Sequence, residues 1–182
     1  MKIFQSAVLT LISLCVLMFI FVNQLHIVPE RVVALYFPEN GNFRVWQFIT
    51  HLFVHASFAH ILFNMVALWM FGTALEKIWG AKRFLIFYFI SGSGAALIYT
   101  LVNYYQFNAT YNELLKLGVN AQAIQHLLDS GVVNRQILNY ISEADLMEFM
   151  AIYLSPAVGA SGAIYGVLIA FAITYPNVKL ML

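Results

Sequence analysis

Apolar residues run through this chain in four long blocks, separated by links marked by charge, glycine or proline. The first block carries no charge from Ile3 to Val22. The pattern predicts helices over about 3–25, 58–77, 83–104 and 157–175, each long enough to cross a hydrocarbon layer of about 30 Å. A cleaved signal peptide is the rival reading of the first block. Its apolar run is too long for a signal core, and no small-x-small site follows closely.

Two links have patterns of their own. Residues 26–54 hold Pro29, Pro38 and Gly41, then Phe43, Trp46 and Phe48. The breakers end a long helix, and the aromatic cluster reads either as a segment in the headgroup layer or as a plain external loop. Residues 106–150 are too many for a structureless loop. Ile124, Leu127 and Leu128, then Ile137, Leu138 and Ile141, recur at helical spacing on either side of Gly131, and Ser142 with Asp145 forms a capping arrangement. These features predict two or three short amphipathic helices resting on the outer leaflet or on the bundle.

Composition sharpens this picture. Of 182 residues, 62% are hydrophobic and only 9% are charged, which is the balance of an all-α membrane protein with several spans. A net charge of +1 gives no reason to expect nucleic acid as a partner. The single cysteine, Cys15, sits mid-helix, where packing is its expected role. Lys2, then Lys77, Lys82 and Arg83, then Lys179 fall on one side if the spans alternate, and that side reads as cytoplasmic. The 106–150 link is acidic, as fits an external insert. Ser91-Gly-Ser-Gly-Ala-Ala96 and Gly162/Gly166 are small-residue faces that let spans approach closely.

Polar groups at membrane depth are functional by default. Taking Lys77 and Pro176 as helix ends on one side, Ser161 stands about 22 Å from that end, His60 about 25 Å and Asn64 about 20 Å. Three polar side chains on two helices thus share one level, below the far surface. His60 and Asn64 are four residues apart and face one way. Their N–H donors suit an oxyanion, and Ser161 near the start of the fourth helix would add backbone N–H groups and the helix dipole. The plainer readings are packing for Ser161 and Tyr165, interhelical hydrogen bonding for Asn64, and a carbonyl bond for His60. His51 and His55 form another i,i+4 pair. With no third ligand in view, a structural hydrogen-bonding role is preferred to metal, and no cofactor is implied.

His51-Leu-Phe-Val-His55-Ala-Ser-Phe-Ala-His60-Ile-Leu-Phe-Asn64 resembles the second-helix signature of rhomboid intramembrane serine proteases, and Gly159-Ala-Ser161-Gly162-Ala-Ile-Tyr165-Gly166 resembles their nucleophile motif. Gly72 to Gly80 looks like the end of the same second helix. The resemblance implies a rhomboid-like helical bundle with four of six core helices present. It also implies Ser161 as nucleophile, His60 and Asn64 in the oxyanion hole, and Tyr165 packed on the base. Single-pass transmembrane proteins in a lipid bilayer would be the substrates, and a bacterial cytoplasmic membrane is the expected location. Gln47 follows Trp46 where the family has arginine. No histidine follows His126, although the family's base lies on a sixth helix, so the sequence given reads as the N-terminal part of a longer protease. A truncated product, or a catalytically dead scaffold that binds transmembrane helices, is the alternative. Nothing in the pattern specifies an oligomer.

Overall fold

The computed structural model describes residues 6–133 and 135–177, so Lys2 and Lys179, used above for orientation, lie outside it. Among the described residues, three helices are long and apolar enough to cross a membrane: α1 (Ala7–Gln24), α2 (Phe58–Trp79) and α3 (Ala81–Lys116). With Leu14, Leu17, Phe63, Ile90 and Ile98 turned outward, this is an integral membrane protein. The insert supplies α4 (Ala121–Ser130) and α5 (Glu143–Leu154), and α6 (Ser161–Thr174) completes the bundle.

The start of α1 shows how the spans are tied together. Its first turn has no acidic residue, yet four N–H groups there need acceptors. The carboxylate of Glu76, at the far end of α2, accepts from Ala7 N–H at 2.6 Å, Val8 N–H at 3.1 Å and the Ser6 hydroxyl at 2.8 Å. Glu76→Ala should therefore lower stability by about 2 kcal/mol, with Glu76→Gln losing roughly half as much. Reversible unfolding in mixed micelles measures both.

Only Gly80, at φ +76°, separates α2 from α3, and the two helices meet beside that turn, through the Thr73–Trp79 end of α2. The small-residue faces meet between α3 and α6. A Cβ on Gly162 would lie 2.8 Å from Ala95 Cβ, and one on Gly166 would lie 2.6 Å from Ser91 Oγ. Around this contact Leu11, Leu52, Leu68, Phe84, Tyr88, Ala163 and Val167 form the bundle core.

Two boundaries differ most from the sequence pattern. Helix α3 runs 36 residues to Lys116 rather than stopping near 104, which makes it about 54 Å long. Helix α6 begins at Ser161 rather than 157, because Ala157 pairs in both directions with the backbone of Leu35 (3.0 and 2.8 Å). At 14 residues it is about 21 Å long, short of a full crossing. The insert, expected on the outer leaflet or on the bundle, packs on the outer part of α3. Ile124, Leu128, Leu146 and Phe149 close a second core over Phe107 and Leu114 of the α3 extension, with Phe37 beside them. That stripe on α3 would otherwise be bare beyond the bilayer. The caps are local: Asn120 accepts from Gln122 N–H, Ser142 accepts from Asp145 N–H, and Gly131 at φ +67° ends α4.

In the link from α1 to α2, one side chain makes four bonds to the backbone. Gln47 is fully buried. Its Oε1 accepts from Tyr36 N–H (3.3 Å) and Arg44 N–H (3.0 Å), and its Nε2 donates to Arg31 O (3.0 Å) and Asn42 O (2.9 Å). Trp46 adds a bond to Val32 O, and Asn40 ties the loop to Tyr153 O at the end of α5.

Candidate active site

Two elements converge on residue 159. Its N–H donates to His51 O at 2.9 Å, and its φ of +113° is open to glycine and strained for other residues. A Cβ there would sit 2.7 Å from both Cε1 and Nε2 of His60, so the imidazole lies directly against the glycine. Two residues later Ser161 opens α6. No side chain caps that helix, so its first-turn N–H groups are left for an incoming acceptor.

Ser161 and Asn64 line one groove between α2 and α6, with Phe63, Ala67, Ile164, Tyr165 and Leu168 as the remaining wall and a volume of about 190 Å³. The structure thus brings the predicted residues together unevenly. Asn64 is buried, and one of its amide N–H groups is spent on His60 O at 2.8 Å, one turn back. The other N–H remains available to the groove. His60 reaches the loop ahead of Ser161. Tyr165 lines the rim, 68% exposed, and among the described residues no histidine ring pairs with it.

The other histidines brace this arrangement. His51 Nδ1 lies 2.8 Å from Gln47 O, which assigns its proton to that nitrogen. Burial, outweighing that bond, lowers its pKa. His55 is fully buried, with its ring edge-to-face on His60 at 5.1 Å. Burial first, and then the neighbouring His60, push its pKa down to about 4. Both imidazoles are therefore neutral near pH 7. His51 is turned to Gln47, and among the described residues no hydrogen bond joins the His51 or His55 ring to Ser161. Among the described residues no group of three or more His, Cys, Asp or Glu could hold a metal.

Residues 42–182 match the family model of the rhomboid domain. The chain belongs to the rhomboid family. Among its curated relatives, rhomboid-like protease 3 of Toxoplasma gondii is 40% identical over 58 residues, 32% of this chain and 22% of its own. Rhomboid protease GlpG of Haemophilus influenzae is 32% identical over 93 residues, 49% of this chain and 48% of its own. Rhomboid protease AarA of Providencia stuartii is 28% identical over 128 residues, 70% of this chain and 34% of its own. The chain thus spans less than half the length of each of these relatives. No solved structure matches it.

Sequence reasoning missed two supports of this rhomboid site. Gln47 was visible only as a departure after Trp46, and its neutral carboxamide, donor and acceptor at once, was the available signal. Gly159 was legible as a glycine in a motif, but not as the seat of the His60 ring.

Proposed function

We propose that this chain is a rhomboid-like scaffold that binds a transmembrane segment of another membrane protein in the groove between α2 and α6. The observation that carries this is the groove's lining. Phe63, Ala67, Ile164 and Leu168 offer an apolar wall, while Ser161 and the spare Asn64 N–H offer polar contacts to an exposed peptide unit. A bound segment gains from small or helix-breaking residues there, because about 190 Å³ takes only a small side chain with its peptide group. The Gly80 turn, flanked by Lys77, Lys82 and Arg83, is read as cytoplasmic, and the site as opening toward the other face.

Proteolysis is the second reading, favoured by Ser161 at an uncapped helix start beside the Asn64 donor. Ser161 Oγ would attack the peptide carbonyl. The Ser161 N–H and Asn64 would hold the oxyanion, and an imidazole would take the hydroxyl proton and return it to the leaving amine. A serine without such a base is a weak nucleophile, and none of the described imidazoles bonds to Ser161.

Two labels separate the readings. A photo-crosslinker in place of Tyr165, in the chain reconstituted in nanodiscs, should capture a single-pass peptide saturably. Ala67→Trp should reduce capture roughly tenfold by filling the groove, while Ser161→Ala leaves it within about twofold. Capture that ignores Ala67→Trp would overturn the binding site. Fluorophosphonate labelling that vanishes in Ser161→Ala would decide for the peptidase.

A further inference from the structure

Four buried side-chain polar atoms lack a hydrogen-bond partner among the described residues, and three of them belong to two residues that touch: Asn23 Oδ1 and both ring nitrogens of His55. Asn23 stands in the last turn of α1, and its Nδ2 donates to His55 O at 3.2 Å. That bond fixes the carboxamide, because an amide oxygen cannot face a carbonyl. The atom left over is therefore an acceptor.

His55 supplies the complement. Its ring is fully buried and neutral near pH 7, so one nitrogen donates and the other accepts. The adjacent Val22, Val33 and Val54 form an apolar cluster, with Val158 packed against it, and the Phe53 backbone beside the ring does not complete a hydrogen bond to either nitrogen. Native interiors rarely leave such atoms unpaired, and a water with two donors and two acceptors pairs atoms that do not reach one another.

We propose that one internal water molecule is bound between Asn23 Oδ1 and the imidazole of His55, and that Asn23 is thereby a positioning residue for His60. The water locks the rotation of the His55 ring. That ring meets His60 edge-to-face, and His60 lies against Gly159, two residues before Ser161. The end of α1, which contributes no side chain to the groove, thus sets the geometry of the loop ahead of Ser161. The inference rests on this geometry and holds under either functional reading.

Nuclear magnetic resonance on the full chain in nanodiscs tests it, using ¹⁵N-labelled imidazoles and His55→Gln to assign the ring signals. In the unsubstituted protein the His55 ring should be a single tautomer whose N–H, or its partner across the ring, shows a rotating-frame cross-peak to a long-lived water. Asn23→Leu should lose that cross-peak and shift the His60 ring resonances. An unsubstituted protein without the water cross-peak would overturn the site, and that measurement needs no variant to fold. A folded Asn23→Leu protein with the cross-peak retained and His60 unmoved would overturn the positioning role.

Discussion

Replacing Gly159 by alanine is expected to destroy the groove's binding capacity. The new Cβ would stand 2.7 Å from two atoms of the His60 ring, where real contacts lie beyond 3 Å, and φ +113° strains any side-chain-bearing residue. His60 cannot retreat freely, because His55 is behind it, edge-to-face at 5.1 Å. The chain must move instead, breaking the bond from residue 159 N–H to His51 O. Strain and the lost bond together cost about 3–4 kcal/mol. The shifted loop displaces Ser161 from the groove wall, so capture by the photo-crosslinker at position 165 should fall by roughly 100-fold. Gly94→Ala is the matched control. Nothing lies within 4 Å of its added Cβ, and inside α3 alanine should stabilise by about 1 kcal/mol. Normal capture by Gly159→Ala would dissolve the link between this loop and the groove.

Gln47→Ala should be the most destabilising single change in the link before α2. The amide satisfies four backbone groups in a fully buried place, at Arg31, Tyr36, Asn42 and Arg44. Alanine leaves those groups orphaned around a cavity, at a cost of about 4 kcal/mol. Gln47→Leu keeps the volume and loses the bonds, so it should recover little. Gln47→Glu keeps both acceptor bonds but turns a carboxylate oxygen toward two carbonyls, and should fall between wild type and alanine only when protonated. Unfolding in mixed micelles at pH 7 and near pH 4 distinguishes these outcomes. If Gln47→Leu proved as stable as wild type, the amide network would not be what holds the loop.

The spans were legible because a bilayer demands uninterrupted apolar length, and α1 and α2 give it plainly. The end of α3 was not, because Asn103, Gln106 and Asn108 signal water rather than a broken backbone, and no breaker follows until Gly118. In the insert, periodicity revealed that Ile124, Leu127 and Leu128 share a face. It could not reveal the partner, since the α3 stripe at Phe107 and Leu114 is recognised only once α3 is known to continue. At the site, the rise of a helix was enough to bring Ser161 and Asn64 to one level. The spending of an Asn64 donor on His60 O, and the outward turn of Tyr165, depend on rotamer and helix rotation, which spacing does not encode.

The carboxylate that receives the first N–H groups of α1 is separated from Ser6 by 70 residues of sequence. At about 5–20 residues per second, a ribosome needs roughly 4–14 s to cover that distance. Throughout that interval the Ala7 and Val8 N–H groups lack the acceptor they have in the finished fold, and only the emergence of Glu76 supplies it. Biogenesis therefore has a built-in order, in which the first span becomes fully seated when the second has been almost entirely synthesised.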